Sequence, residues 1–194
     1  MNIFDFDNTI YDGDSCKDIV MYGLKKHFLL TMKSLIKASK LNRMYKKNLI
    51  PFEKVKEELL SFIFKIDSYE DFINNFVNDN MKKIKSWYKD IKKPDDIFIT
   101  ASYELWISEF AKQLGIKNVI ATRVDKKGHI IGKNCKTEEK VSRLKEEFPS
   151  INIKCAYTDS KSDIPILKLA KKAYVVEGNK LNEYFDGYSF KNTK

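Results

Sequence analysis

Four short runs rich in β-branched and aromatic residues, at 2–6, 97–100, 118–122 and 151–157, each stop at polar or turn-forming residues, and a fifth covers 173–176. Between the later runs, apolar residues recur at helical spacing. They do so over 103–114, closed by Gly115, over 137–148, closed by Pro149, and over 162–171, where Pro165 falls in the first turn. Strands alternating with helices of this length predict an α/β fold with a parallel sheet covered on both faces. Residues 14–93 break that rhythm. They hold no convincing strand, and stripes such as Val55, Leu59, Phe62 and Ile66, then Phe72, Phe76 and Ile84, predict helices instead. The chain thus divides into a core, 1–13 with 94–194, and a helical insertion, 14–93. Gly128 separates β-like stretches at 122–124 and 129–131, which predicts a hairpin, and 188–194 reads as a frayed tail.

A chain of 194 residues, 43% of them hydrophobic, suffices for one compact unit with an appendage. The net charge of +9 raises the question of a polyanionic partner. The lysines are spread along the chain, with no arginine-rich arm and no aromatic-plus-arginine motif, so a generally lysine-rich surface is expected and nucleic acid is not. Such a surface still attracts an anionic phosphate ester. Cys16, Cys135 and Cys155 are odd in number and widely spaced, which suggests neither a disulfide framework nor a zinc site. The first residues reach an acidic cluster at once and no apolar run approaches bilayer length, so a cytoplasmic protein is expected.

The chemistry concentrates at two strand ends. NIFDFDNT sets Asp5 and Asp7 at the carboxyl end of an apolar strand, where open α/β sheets bind ligands. Alternation puts both on one side if the strand runs through them; a turn at Asn8 would re-aim the second. AYTDSKSD supplies Asp159 and Asp163 after another strand. If the first and fourth strands are neighbours, the two motifs converge. Carboxylates brought together need a cation or a shared proton, and oxygen ligands from Asp5 and Asp159 suit Mg²⁺.

The set resembles the haloacid dehalogenase-like superfamily, in its phosphoserine-phosphatase-like branch with a helical cap. DFDNT is similar to D-x-D-x-T, IFITAS to the apolar strand ending in Thr or Ser, EEKVSRL to the helix-starting lysine, and TDSKSD to D-x-x-x-D. The resemblance implies a three-layer, Rossmann-like core with an inserted α-helical cap of the C1 type. It implies a Mg²⁺-dependent phosphatase in which Asp5 is the nucleophile that becomes an aspartyl phosphate, and Asp7 is the acid and base whose backbone carbonyl also ligates the metal. Asp159 completes the metal ligands, Thr9 and Asp163 support them, and Thr100 with the amides near Ala101 and Ser102 binds phosphate. The motif lysine is Lys140, with Lys136 as the alternative.

In this family the cap selects the leaving group. Asp14, at the hinge into the insertion, and Arg43, in a basic cluster with Lys40, Lys46 and Lys47, are the candidate substrate contacts. Asp14 equally suits a helix cap, and the cluster equally suits a solvated face. Ile19, Val20, Leu24, Phe28, Leu35 and Ile36, interleaved with lysines, would suit a peripheral membrane contact, although packing against the core is the expected use. His27 and His129 match no motif and are expected at the surface or in packing. The expected substrate is a small phosphorylated metabolite such as phosphoserine or a phosphorylated amino alcohol. The alternatives are a lipid head-group precursor of the phosphatidylglycerophosphate kind, or a non-catalytic basic module for RNA or membrane. Transfer to an alcohol instead of water, and the oligomeric state, stay open.

Overall fold

The computed structural model describes residues 1–190. Its strands are β1 (Asn2–Phe4), β2 (Ile97–Tyr103), β3 (Asn118–Thr122), β4 (Cys155–Thr158), β5 (Lys172–Glu177) and β6 (Lys180–Glu183). They form one sheet in the order β3-β2-β1-β4-β5-β6, parallel throughout except for the edge strand β6. β1 lies between β2 and β4, with Ile3 opposite Ile97 on one side and Ala156 on the other. The chain adds β2 and β3 on one side of β1 and returns to add β4 on the other. The order reverses at β1, so a crevice opens at the carboxyl ends of β1 and β4.

The two faces of the sheet differ in chemistry because successive side chains alternate. Phe4, Phe98, Tyr157 and Tyr174 point one way, with Phe4 stacked on Tyr157 at 4.6 Å and Tyr157 on Tyr174 at 5.0 Å. Ile3, Ile97, Ile99, Ile120, Ala156 and Val175 point the other way. Helix α6 (Glu104–Leu114) covers the aromatic side with Trp106, Ile107 and Phe110, and Gly115 ends it in the left-handed conformation at φ 73°. Helices α7 (Glu138–Glu147) and α8 (Ile164–Leu167) cover the aliphatic side through Leu144, Ile166 and Leu167.

Between β1 and β2 run α1 (Ser15–Lys26), α2 (Phe28–Tyr45), α3 (Phe52–Leu60), α4 (Tyr69–Asn80) and α5 (Ser86–Ile91), with single 3₁₀ turns at Ile63–Lys65 and Met81–Lys83. Asp14 caps α1 by accepting from the Lys17 N–H at 3.1 Å. Gly23 lets α1 approach its neighbours, since a Cβ there would fall 2.4 Å from the Phe62 ring and 2.8 Å from Thr31 Oγ1. The fully buried residues of helix α2 are small, Thr31, Ser34 and Ala38, with Leu30 and Leu35 half-buried beside them, and Ser34 Oγ meets Ser61 Oγ at 2.9 Å.

Several expectations change. Ile19 and Val20 are buried as anticipated, but Phe28 (59% exposed) and Ile36 (53%) face outward instead of packing on the core. The helix expected over 162–171 shrinks to a 3₁₀ turn and the short α8. Its continuation is prevented because the Lys171 and Lys172 amides already donate to the carbonyls of Ile153 and Lys154 beside β4. Strand pairing in the 151–157 run starts only at Cys155. β6 escaped notice because its KLNE sequence, at an exposed edge, carries no alternating apolar signal. The tail expected over 188–194 is anchored at Phe190, which is buried and packs on Tyr188 at 5.4 Å; residues 191–194 lie outside the described residues. Around Gly128 the ladder reduces to one bridge, Val124 to Ile130, and the Ile130 N–H donates to Glu57 of α3. Among the described residues, no helix is long and apolar enough to cross a membrane.

Candidate active site

β1 ends at Phe4, yet the Asp5 N–H still donates to the Tyr157 carbonyl at 2.9 Å, so Asp5 is held in register with β4. The chain then folds sharply. The Phe6 carbonyl accepts from Ile10 and Tyr11, and Asn8 takes a left-handed φ of 57° while its N–H donates to the Gly13 carbonyl. That turn swings Asp7 away from the side on which Asp5 points. Lys85 fastens the loop from outside, with its Nζ donating to the carbonyls of Asn8 and Gly178.

Asp5 and Asp163 share one lysine. Lys140, two residues into α7, is almost wholly buried and donates to Asp5 Oδ1 at 2.8 Å and to Asp163 Oδ2 at 2.6 Å. Thr158 Oγ1 also donates to Asp163 Oδ2, at 2.8 Å, which fixes that carboxylate from β4. Thr9 Oγ1 lies 3.3 Å from Asp5 Oδ2 and 3.5 Å from Asp159 Oδ1, and accepts from the Asp159 N–H at 3.0 Å. Thr9 therefore joins the two strand ends. Lys136 is exposed, so of the two lysines weighed in the sequence only Lys140 reaches the carboxylates.

Asp7 belongs to a separate buried network. Its Oδ1 accepts from the Ser15 N–H at 2.6 Å and its Oδ2 from Ser102 Oγ at 2.5 Å. Ser102 Oγ gives its one hydrogen to Asp7, so it accepts from Ser15 Oγ at 3.1 Å, and Ser15 Oγ in turn accepts from Trp106 Nε1 at 3.0 Å. Ser15 and Trp106 carry no motif and were missed in the sequence. So was Lys56 of α3, whose Nζ donates to the Ala101 carbonyl and to Asn134 Oδ1 and stands 4.8 Å from the Tyr103 ring. One signal was available: Lys56 occupies a position in the Phe52–Leu60 pattern where helical spacing calls for an apolar side chain.

The phosphate-binding expectations are met unevenly. Thr100 is buried at the end of the β2 apolar run, but its Oγ1 accepts from the Ser102 N–H at 3.1 Å, so that amide is engaged within the strand end. β2 runs on to Tyr103, and α6 starts only at Glu104. Asp14 borders the cavity that opens onto Asp7, whereas Arg43 is exposed in the last turn of α2 and does not line it. His129 is exposed beside Asp125, and His27 packs edge-on against Phe72.

Burial and mutual repulsion act on the carboxylates. Burial, opposed by Lys140 and reinforced by Asp163 and Asp159, pushes Asp5 up to about 8. Burial, then Asp163, pushes Asp159 up to about 6. Burial also raises Asp7, against the donors Ser102 and Ser15. Lys140 is held charged by Asp163 and Asp5 despite its burial, and its pKa is raised. Among the described residues, no three His, Cys, Asp or Glu side chains converge as a ready metal cage, because the Asp7 carboxylate is turned to Ser15 and Ser102. The remaining carboxylates, Asp5 and Asp159, offer only oxygen. Three carboxylates around a single lysine are short of positive charge, and that deficit fits a hard divalent cation.

A sheet reversing at β1 gathers carboxylates that follow β1 and β4 around a buried lysine, an acidic centre on an α/β fold. The model of the haloacid dehalogenase-like hydrolase family matches residues 3–168, and the chain belongs to that family. Protein CicA of Caulobacter vibrioides is 37% identical over 86 residues, which cover 40% of this chain and only 39% of that protein. Histidinol-phosphatase of Neisseria meningitidis serogroup C is 25% identical over 202 residues, covering 90% of this chain and 88% of that one. Two solved structures share the fold. One is a protein of unknown function from Bordetella pertussis Tohama I, with a TM-score of 0.73, 18% identity and coverage of 89% and 87% of the two chains. The other is a phosphoserine phosphohydrolase-like protein from Francisella tularensis, with a TM-score of 0.56, 19% identity and coverage of 89% and 86%.

Proposed function

We propose that this hydrolase is a phosphatase that cleaves a phosphate monoester of a small metabolite through a phosphoryl group carried on Asp5. The observation that carries the reading is the pair of contacts from buried Lys140 to Asp5 and Asp163, with Asp7 two residues on and facing a cavity. Lys140 holds one Asp5 oxygen, steering the other toward the substrate, and its charge is placed to oppose the negative charge of the phosphoryl oxygens. Asp5 attacks phosphorus as the bond to the leaving oxygen breaks, and Asp7 delivers its proton to that oxygen. Water then attacks the same phosphorus while Asp7 takes a proton from it; the Asp5–phosphate bond breaks and inorganic phosphate departs. The raised pKa of Asp7 suits a group that must start each cycle protonated.

Asp5, Asp159 and the Asp7 carbonyl would hold Mg²⁺, which supplies positive charge at the phosphoryl oxygens. Thr100 and the Ala101 amide are the proposed phosphate donors. Residues 14–93 act as the cap over the core, and free Cys16, Cys135 and Cys155 accord with a cytoplasmic setting. Phosphoserine, amino-alcohol phosphates and histidinol phosphate are the reference esters for a screen. The test is phosphate release from phenyl phosphate with and without Mg²⁺. Metal-dependent release that disappears in Asp5→Asn is expected; equal release by the variant refutes the mechanism.

A further inference from the structure

The geometry points to a substrate whose leaving group is apolar, an alkyl or aryl phosphate monoester. This assignment rests on the phosphatase reading and deepens it. A cavity of about 650 Å³ runs from Asp7 and Ser102 up between α1, α2 and α3, a size suited to a small organic ligand. Because Asp7 stands at its floor, whatever is bonded to the oxygen that Asp7 protonates must occupy this space. The walls are Val20, Leu35, Phe52, Val55, Leu59 and Leu60.

Most polar groups that line the cavity are already committed, and the exposed Lys136 adds one further cation to the lining. Lys56 Nζ and Asn134 Oδ1 bond to each other at 2.7 Å, and Lys56 also donates to the Ala101 carbonyl. Ser102 donates to Asp7. Asp14 accepts from the Lys17 N–H and stands 3.6 Å from Lys17 Nζ, so the one carboxylate suited to an ammonium group faces its own cation. An amino-acid or amino-alcohol ester would surrender the hydration of its charged groups to apolar walls. An alkyl chain would gain from the same walls.

The experiment is a series of ethyl, butyl, hexyl and octyl phosphate, kept below micelle formation, beside phosphoserine and histidinol phosphate, with phenyl phosphate as reference. The leaving alcohols differ little in acidity, so the chemical step stays constant and chain length reads the cavity. The expected result is a kcat/KM that rises about fourfold per methylene until the cavity is filled, the ratio equivalent to about 0.8 kcal/mol per buried CH₂. Octyl phosphate should then exceed phosphoserine and histidinol phosphate. A flat series with phenyl phosphate still hydrolysed, or a preference for either amino ester, overturns the apolar assignment alone. No hydrolysis of any ester overturns the phosphatase reading with it.

A different observation carries a second inference: the outer face of α2 and the segment after it docks on an anionic lipid bilayer. Residues 27–50 contain no acidic side chain. Exposed Phe28, Leu29, Ile36, Met44 and Leu49 alternate there with exposed Lys33, Lys37, Lys40, Arg43, Lys46 and Lys47. Lys37 stands 3.9 Å from Glu58 of α3, and the remaining excess of cations mixed with apolar groups complements the interface of a negatively charged membrane. Co-sedimentation with vesicles of phosphatidylcholine, with and without phosphatidylglycerol, tests it. Binding only to the anionic vesicles, weakened by salt and lost in a Leu29→Glu, Ile36→Glu double variant, is expected. No binding, or a dimer in solution that conceals this face, overturns it.

Discussion

Helices α6 and α2 are both long and apolar, but they use their side chains in opposite ways. α6 buries Trp106, Ile107, Phe110, Ala111 and Leu114 against the sheet, and Trp106 also begins the donor chain that ends on Asp7. α2 buries Thr31, Ser34 and Ala38 and leaves Leu29 74% exposed. The contrast separates the part of the molecule that fixes the reaction from the part that faces what the reaction acts on. Near the strand ends each carboxylate has named partners; above them the walls are mainly apolar and the outer surface awaits contact.

The sharpest way to break that division is to remove chemistry without touching packing. Asp5→Asn should lower kcat by at least about a thousandfold, and Asp7→Asn by about 10² to 10⁴, with the thermal midpoint little changed in either. Activity assays paired with thermal unfolding check both. Trp106→Ala attacks packing and chemistry together: it should cost about 3–5 kcal/mol in denaturant unfolding and release Ser15 from its fixed donor. At the other extreme, Ile36→Ser on the outer face of α2 should stay within about 0.5 kcal/mol of the parent chain.

Between these lies a pH effect. The folded state keeps a proton on Asp5 up to about 8, whereas an unfolded aspartate releases it near 3.8. Between those values the folded chain binds more protons, so without metal its stability falls as pH rises through that window. Mg²⁺ competes with the proton. Its stabilisation of the thermal midpoint should therefore be larger at about pH 8 than at about pH 5, and a midpoint that rises with pH in chelator would contradict the sign.

The sheet and the acidic motifs were legible because their signals are local. The runs at 97–100 and 118–122 match β2 and β3 at their first residues, and Asp5, Asp159 and Asp163 stand at strand ends or the turn beside them. Lys140 was found by its place before Val141, and the structure brings it to Asp5. What depended on partners distant in the chain was not legible. Ser15 and Trp106 gain meaning only because Ser102 stands between them and Asp7, and no spacing rule connects those positions. The length of α8 was set by hydrogen bonds to Ile153 and Lys154, and the outward turn of Phe28 and Ile36 by the small residues that α2 presents to α3. In each case the apolar pattern was right about amphipathicity and silent about which face the fold would keep.

The central place of β1 also has a bearing on how the chain folds. β1 is only three residues long and has no neighbour close to it in the chain; its partners β2 and β4 begin only at Ile97 and Cys155. During synthesis it leaves the ribosome well before either; it can pair with β2 first and gains its second neighbour only when β4 is made. Strand pairings of such separation must bear the loop-closure entropy before any contact rewards it, which makes them slow. Asp5, the proposed nucleophile, is thus made long before Asp159 and Asp163, and a stalled or truncated chain lacking β4 holds no assembled cluster of carboxylates.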